Sequence, residues 1–203
     1  VAGVTRARIR LVLTAVTLAL AGVGAYVLGV ALRPPAALAG TALQNPPSMV
    51  DLELVRGDGE QVRLGDAFGG ITTLVFFGFT RCPDVCPLTM ARLGNLYEAM
   101  GRPSNLNVAM ITVDPEHDTP ELLDLYVRAF HEDFLAFSGS NAQIATAARA
   151  FFVGYAGIGT ETFTHTDVVA VLDRSGSLRY VYSQQNLPRL PNDLPVILAQ
   201  RGF

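Results

Sequence analysis

With 203 residues, half of them hydrophobic, the chain is long enough for one domain of ordinary size plus an accessory segment, and too short for several domains. Fifteen arginines, no lysine and eighteen acidic residues give a net charge of −3, which argues against a nucleic-acid partner held on a basic face. Two cysteines cannot staple a scaffold, so they form a single pair that needs its own explanation.

The accessory segment is at the start. Arg6, Arg8 and Arg10 precede an uncharged apolar run from Leu11 to Leu32, the length needed to cross about 30 Å of hydrocarbon. The positive-inside rule keeps residues 1–10 cytoplasmic and sends the remainder out, so residues 11–32 are expected to be a single-pass anchor. A cleaved signal peptide ending near Ala37-Leu38-Ala39 is the rival, but the run exceeds the usual signal core. Either way the folded part is expected outside the cytoplasm: on a cell inner membrane with its C-terminal domain in the periplasm, or in an equivalent compartment. Arg33-Pro34-Pro35 stops the apolar helix, residues 33–48 read as a tether, and residues 49–203 as the folded domain. Without its four N-terminal arginines the exported part is more acidic than the whole, which fits a solvated surface or docking on a basic patch.

Val50–Val55 alternates apolar with acidic residues, Gly57-Asp58-Gly59 is a turn signal, and Gln61–Leu64 returns as a second hairpin strand. A short helical piece over Asp66–Gly70 leads into Thr72–Phe77, whose unbroken apolar run predicts a strand buried on both faces. A helix through Leu88, Leu93, Leu96 and Met100 follows, then a second buried strand over Asn107–Val113. Thr119-Pro120-Glu121 opens another helix with a capping threonine, a first-position proline and a first-turn acid. Phe134–Phe137 is a short strand and Asn141 is expected to cap the next helix. Asp167–Asp173 and Ser177–Tyr182 pair around Arg174-Ser175-Gly176, and a last helix follows Asn192, with Pro195 tolerable only in its first turn. Strand-helix alternation closed by an antiparallel pair predicts an α/β fold: a mixed sheet flanked by helices, with an extra N-terminal hairpin.

Chemistry concentrates where the first buried strand meets its helix. Cys82 and Cys86 lie four residues apart in Arg81-Cys82-Pro83-Asp84-Val85-Cys86-Pro87. If the helix has begun by Cys82, both thiols share one face at a separation suited to a soft metal ion or to a disulfide. A thiol at a helix start is favoured as thiolate, the form that attacks disulfides and binds Cu(I). Asp84 reads as the helix N-cap and Met90 as a core residue rather than a thioether ligand. His131, beside Glu132 and Asp133, reads as a solvated helix end, and His117 as a loop residue. His165 in Phe163-Thr164-His165-Thr166-Asp167 stands directly before a hairpin strand, where it meets either core or rim.

Three stretches together, Phe77-Gly78-Phe79-Thr80-Arg81-Cys82-Pro83-Asp84-Val85-Cys86-Pro87, Thr112-Val113-Asp114-Pro115-Glu116-His117-Asp118-Thr119-Pro120-Glu121, and His165 before a hairpin, resemble the Sco/SenC proteins. The likeness runs from about Val50 to the C-terminus, and the anchor matches as well. It implies a thioredoxin-like fold, copper as Cu(I) or Cu(II), and Cys82, Cys86 and His165 as the copper ligands. It also implies a metallochaperone for the copper site of cytochrome c oxidase, more a carrier than an enzyme, with an oxidase subunit or another copper chaperone as partner. The competing expectation is a thiol-disulfide oxidoreductase using a Cys82–Cys86 disulfide. Two positions depart from the family pattern: Thr164 stands where Asp is usual, and His117 where Arg is usual. The first removes an acid beside the implied histidine ligand.

Overall fold

A computed structural model describes residues 13–26, 37–156 and 164–200. Residues 13–26 are helical (α1) and form a unit of their own; the second unit runs from Leu38 onward. The expected anchor over residues 11–32 lies partly outside the described residues, and among those described no helix is long and apolar enough to cross a membrane.

In the second unit β4 (Thr72–Gly78) is buried at all seven positions, as its unbroken apolar run predicts. It pairs in parallel with β5 (Leu106–Thr112), and β5 in parallel with β6 (Leu135–Ser138). The two crossovers carry α3 (Val85–Ala99) and α4 (Pro120–Arg128). On its other edge β4 meets β9 (Val168–Leu172) antiparallel, and β9 forms a hairpin with β10 (Leu178–Ser183). The Asp173 carboxylate organises that turn by accepting from the Ser175 and Ser177 amides at 2.8 and 3.0 Å. The predicted N-terminal hairpin is β2 (Glu53–Arg56) with β3 (Gln61–Arg63); it joins the sheet beside β6, and α2 (Leu64–Phe68) follows it. The result is the mixed α/β sheet expected.

Several local expectations are corrected. Thr41–Ala42, inside the stretch read as tether, forms β1 and pairs with β10, while Asp193 accepts from the Ala39 amide at 2.6 Å. A stretch rich in alanine and proline carries no strand signal, and β10 supplies the pairing. The helix after β6, α5 (Asn141–Ala150), is capped by Ser140, one residue earlier than read, through a full capping box with Gln143. A 3₁₀ turn, Leu187–Arg189, runs into α6 (Leu190–Ala199), so the last helix begins before Asn192 and Pro195 lies beyond its first turn. Thr119 caps α4 as expected, accepting from the Leu122 amide.

Candidate metal centre

Sheet register explains why residues far apart in sequence meet. Because β9 runs antiparallel to β4, with Phe76 opposite Val169, the C-terminal end of one lies beside the N-terminal approach to the other. The Cys82–Cys86 loop leaves β4 at that end, and β8 (Thr164–His165) arrives there, paired with β7 (Tyr155–Ala156). The Cys86 sulfur and His165 Nε2 stand 3.5 Å apart across 79 residues of sequence.

The imidazole is oriented for this contact. His165 Nδ1 lies 3.1 Å from the Thr166 carbonyl, an acceptor only, so Nδ1 carries the proton and Nε2 turns its lone pair to Cys86. The ring meets Phe76 and Phe79 edge-on, with centroids 6.1 and 5.9 Å away. Gly78 makes room for the sulfur: a Cβ there would lie 2.7 Å from Phe76, 2.9 Å from Met110 and 3.1 Å from Cys86 Sγ.

The helix starts at Val85, so Cys82 precedes it rather than sharing its first turn. Asp84 occupies the N-cap position but its side chain makes no capping bond, contrary to the sequence reading. The Cys82 sulfur takes that role, accepting from the Cys86 amide at 3.4 Å. Both cysteines are free thiols, and Cys82 also lies within hydrogen-bonding reach of the Cys86 side chain. Cys86 is fully buried and Cys82 half-buried. Burial pushes the Cys86 thiol well above its ordinary range, seconded by the Cys82 contact and opposed by a backbone hydrogen bond from Phe79. For this cysteine desolvation outweighs the helix end, so the expected lowering does not occur.

The loop is fastened by acids from the β5–α4 connection. Asp118, fully buried, accepts from the Thr80 amide at 3.0 Å, from the Thr80 hydroxyl, and from Thr112 Oγ1 at 2.7 Å. Asp114, also buried, holds Arg81 at 2.6 Å. These contacts explain why the second motif accompanies the first: its acids hold Thr80 and Arg81 and so position the cysteine loop. Met90 is buried in the core as expected. His117 is exposed in a turn, and Thr164 lies in β8.

His131 is the clearest misreading. It is buried, its Nε2 is 3.0 Å from Glu98, its Nδ1 accepts from the Asp133 amide at 3.1 Å, and Tyr97 and Phe134 pack on its ring. The adjacent acids suggested solvent, but only tertiary packing could reveal the aromatic pair. Two polar groups near the thiols had no sequence signal at all. Tyr126 Oη and Asp167 Oδ1 are buried without a hydrogen-bond partner among the described residues. Burial, then the Cys86, Cys82 and Asp118 charges, push the Tyr126 phenol up. Burial also raises the Asp167 carboxyl, opposed by Gln184, His165 and Arg92.

Among the described residues no three His, Cys, Asp or Glu side chains already stand close enough together to hold an ion. The donor set itself, two sulfurs and a ring nitrogen with its lone pair free, gathered beyond the C-terminal end of β4, fits a soft, low-coordinate metal and suits magnesium or calcium poorly.

The chain matches the family model described as SCO1/SenC over residues 41–191. It is 32% identical over 131 residues to an SCO2-like protein of Rickettsia prowazekii, covering 61% of this chain and 63% of that protein's length. The solution structure of apo Sco1 from Thermus thermophilus superposes with a TM-score of 0.68 at 38% identity, covering 79% of this chain and 97% of that one. The structure of Bradyrhizobium japonicum ScoI with copper bound gives 0.62 at 31%, covering 80% and 98%. The fold is thioredoxin-like, matching these Sco structures.

Proposed function

The chain belongs to the SCO1/SenC family, and from that premise we propose that it is a copper metallochaperone, tethered to a membrane through residues 11–32, that carries copper on Cys82, Cys86 and His165 to the copper site of cytochrome c oxidase. The observation that carries this reading is the approach of His165 Nε2 to Cys86 Sγ at 3.5 Å, with the ring's other nitrogen engaged by the Thr166 carbonyl. A solved relative with copper bound, at 31% identity over most of its length, supports copper as the cargo.

The residues present suit both uptake and release. Two thiolates and a neutral imidazole satisfy Cu(I), and a further weak donor completes the set for Cu(II). Uptake displaces the proton from the buried Cys86 thiol and draws Cys82 from the helix amide it caps. Cys82 is the more exposed of the two sulfurs, so a partner's cysteine or histidine reaches it first and exchange proceeds one ligand at a time. Cargo then passes between proteins without a free ion.

The test is copper retention by the full chain in detergent, reduced, measured by mass spectrometry and absorption. One copper per chain is expected, and none after Cys82→Ser with Cys86→Ser. A wild-type chain that retains no copper, or a double variant that retains it unchanged, overturns the reading.

One observation favours a second reading, thiol-disulfide exchange: the two thiols are free and adjacent. Forming the Cys82–Cys86 disulfide reduces a partner disulfide by two electrons and leaves it as two thiols. The raised pKa and burial of Cys86 leave Cys82 as the attacking group. His165→Ala separates the readings, because exchange survives it and copper binding does not.

A further inference from the structure

We infer that Asp167 supplies a fourth donor, its Oδ1 carboxylate oxygen, to copper held by Cys82, Cys86 and His165, and that this donor serves Cu(II) far more than Cu(I). The inference rests on the copper reading above and adds a residue and an oxidation-state preference to it.

The register places the residue. Running the β4–β9 pairing on by two positions from Phe76 and Val169 sets Asp167 opposite Gly78, the position whose missing Cβ admits the Cys86 sulfur. Running the β9–β10 pairing on by one from Val168 and Ser183 sets it opposite Gln184. Cross-strand neighbours point to the same face of a sheet, so the Asp167 side chain projects where Cys86 lies. Electrostatic interaction of Asp167 with both Cys86 and His165 agrees with that placement.

The carboxylate is held by one side only. Gln184 donates to it, and Gln184 is itself fixed, by Thr89 Oγ1 at 2.9 Å and Arg92 at 3.2 Å. Thr89 and Arg92 lie on α3, the helix that carries Cys86. The other oxygen, Oδ1, is buried with no partner among the described residues. A buried acceptor left unpaired costs on the order of 1–3 kcal/mol, and natural structures rarely leave one without a purpose.

Orienting the histidine is not that purpose, since Nδ1 bonds the Thr166 carbonyl and Nε2 faces Cys86. An ion pair is not either: Arg92 donates to Gln184 at 3.2 Å and acts on Asp167 through its charge alone, leaving Oδ1 without a hydrogen bond among the described residues. What remains on the face that Cys86 occupies is a hard carboxyl oxygen clamped from behind. Two sulfurs and a nitrogen suffice for Cu(I), whereas Cu(II) prefers four-coordinate geometry with N and O donors.

The experiment measures Cu(I) and Cu(II) affinity separately by chelator competition on the full chain, with an electron paramagnetic resonance spectrum of the Cu(II) form. Asp167→Asn is expected to weaken Cu(II) by about 10- to 100-fold, the range for altering a metal's immediate surroundings. Cu(I) affinity stays within about threefold, the Cu(II) spectrum shifts, and Asp167→Glu restores part of the loss. Equal loss of both ions marks Asp167 as structural and overturns the inference, as does an unchanged Cu(II) affinity and spectrum. If Asp167→Asn does not fold, Gln184→Leu keeps the carboxylate and removes its clamp; a smaller Cu(II)-selective loss supports the inference and its absence overturns it. A wild-type chain that binds neither ion overturns the copper reading and this inference with it. A wild-type chain that binds both, matched by Asp167→Asn, overturns this inference alone.

Discussion

His131 and His165 occupy comparable boxes and do different work. Each ring packs edge-on or tilted against two aromatic residues, Tyr97 and Phe134 for one, Phe76 and Phe79 for the other. Each has one nitrogen tied to local backbone, the Asp133 amide in the first case and the Thr166 carbonyl in the second. The second nitrogen separates them. In His131 it meets Glu98, an acid within the Glu98–Arg102–Glu132 surface network, so both ring nitrogens are consumed by the protein. In His165 it faces the sulfur of Cys86. Aromatic packing holds an imidazole still; the chemistry of the group opposite its free nitrogen decides whether it stabilises a fold or waits for a ligand.

The largest test of this contrast is His165→Ala. It is expected to lower copper affinity by about 100-fold or more, beyond the range for losing a supporting partner. Thermal stability should change little, and competition titration with a melting curve checks both. A loss of stability equal to that of the His131 variant would erase the distinction.

His131→Ala is the reverse experiment. Removing a buried ring and leaving its partners unpaired should cost about 2–3 kcal/mol, which lowers the melting temperature by roughly 5–10 °C in a chain of this size. Copper stoichiometry should remain that of the wild type. Loss of copper in a folded His131 variant would make the two corners alike.

Gly78→Ala sharpens the comparison from the sulfur side. Its Cβ would crowd Phe76, Met110 and Cys86 Sγ at once, and such overpacking costs about 1–3 kcal/mol. Copper affinity should fall with it, because Cys86 must give way by a few tenths of an ångström. Unchanged affinity would show that the sulfur has room the close approach denies.

The last test varies pH at the sulfur. Burial raises the Cys86 pKa, so this thiol is protonated at neutral pH and binding must expel its proton. Apparent Cu(I) affinity should therefore rise with pH by about tenfold per unit for each proton released. Titration across pH 6–9 reads that slope, and a flat profile would mean that Cys86 binds nothing.

Much of this was legible before any coordinates. Unbroken apolar runs named β4 and β5, turn chemistry named both hairpins, and Thr119-Pro120-Glu121 named the start of α4, because each signal is local and answers to backbone geometry. The two cysteines and His165 were also visible, the histidine by resemblance more than by pattern. The capping of α3 was misjudged, since Asp84 has the right chemistry but a nearby sulfur takes the amide. His131 was misjudged because its neighbours in sequence are acids and its neighbours in space are rings.

By itself, then, the sequence determined the central strands, both hairpins and most of the helices, and which two thiols lead the chemistry. Tertiary structure alone decided what stands opposite what: the antiparallel register of β4 and β9 brings His165 to Cys86, and the packing of α3 leaves Cys86 buried. The physical reason is that periodicity and turn preference are properties of a few adjacent residues. A lone pair's partner and a thiol's desolvation depend on groups tens of residues away, which only a closed sheet brings within reach.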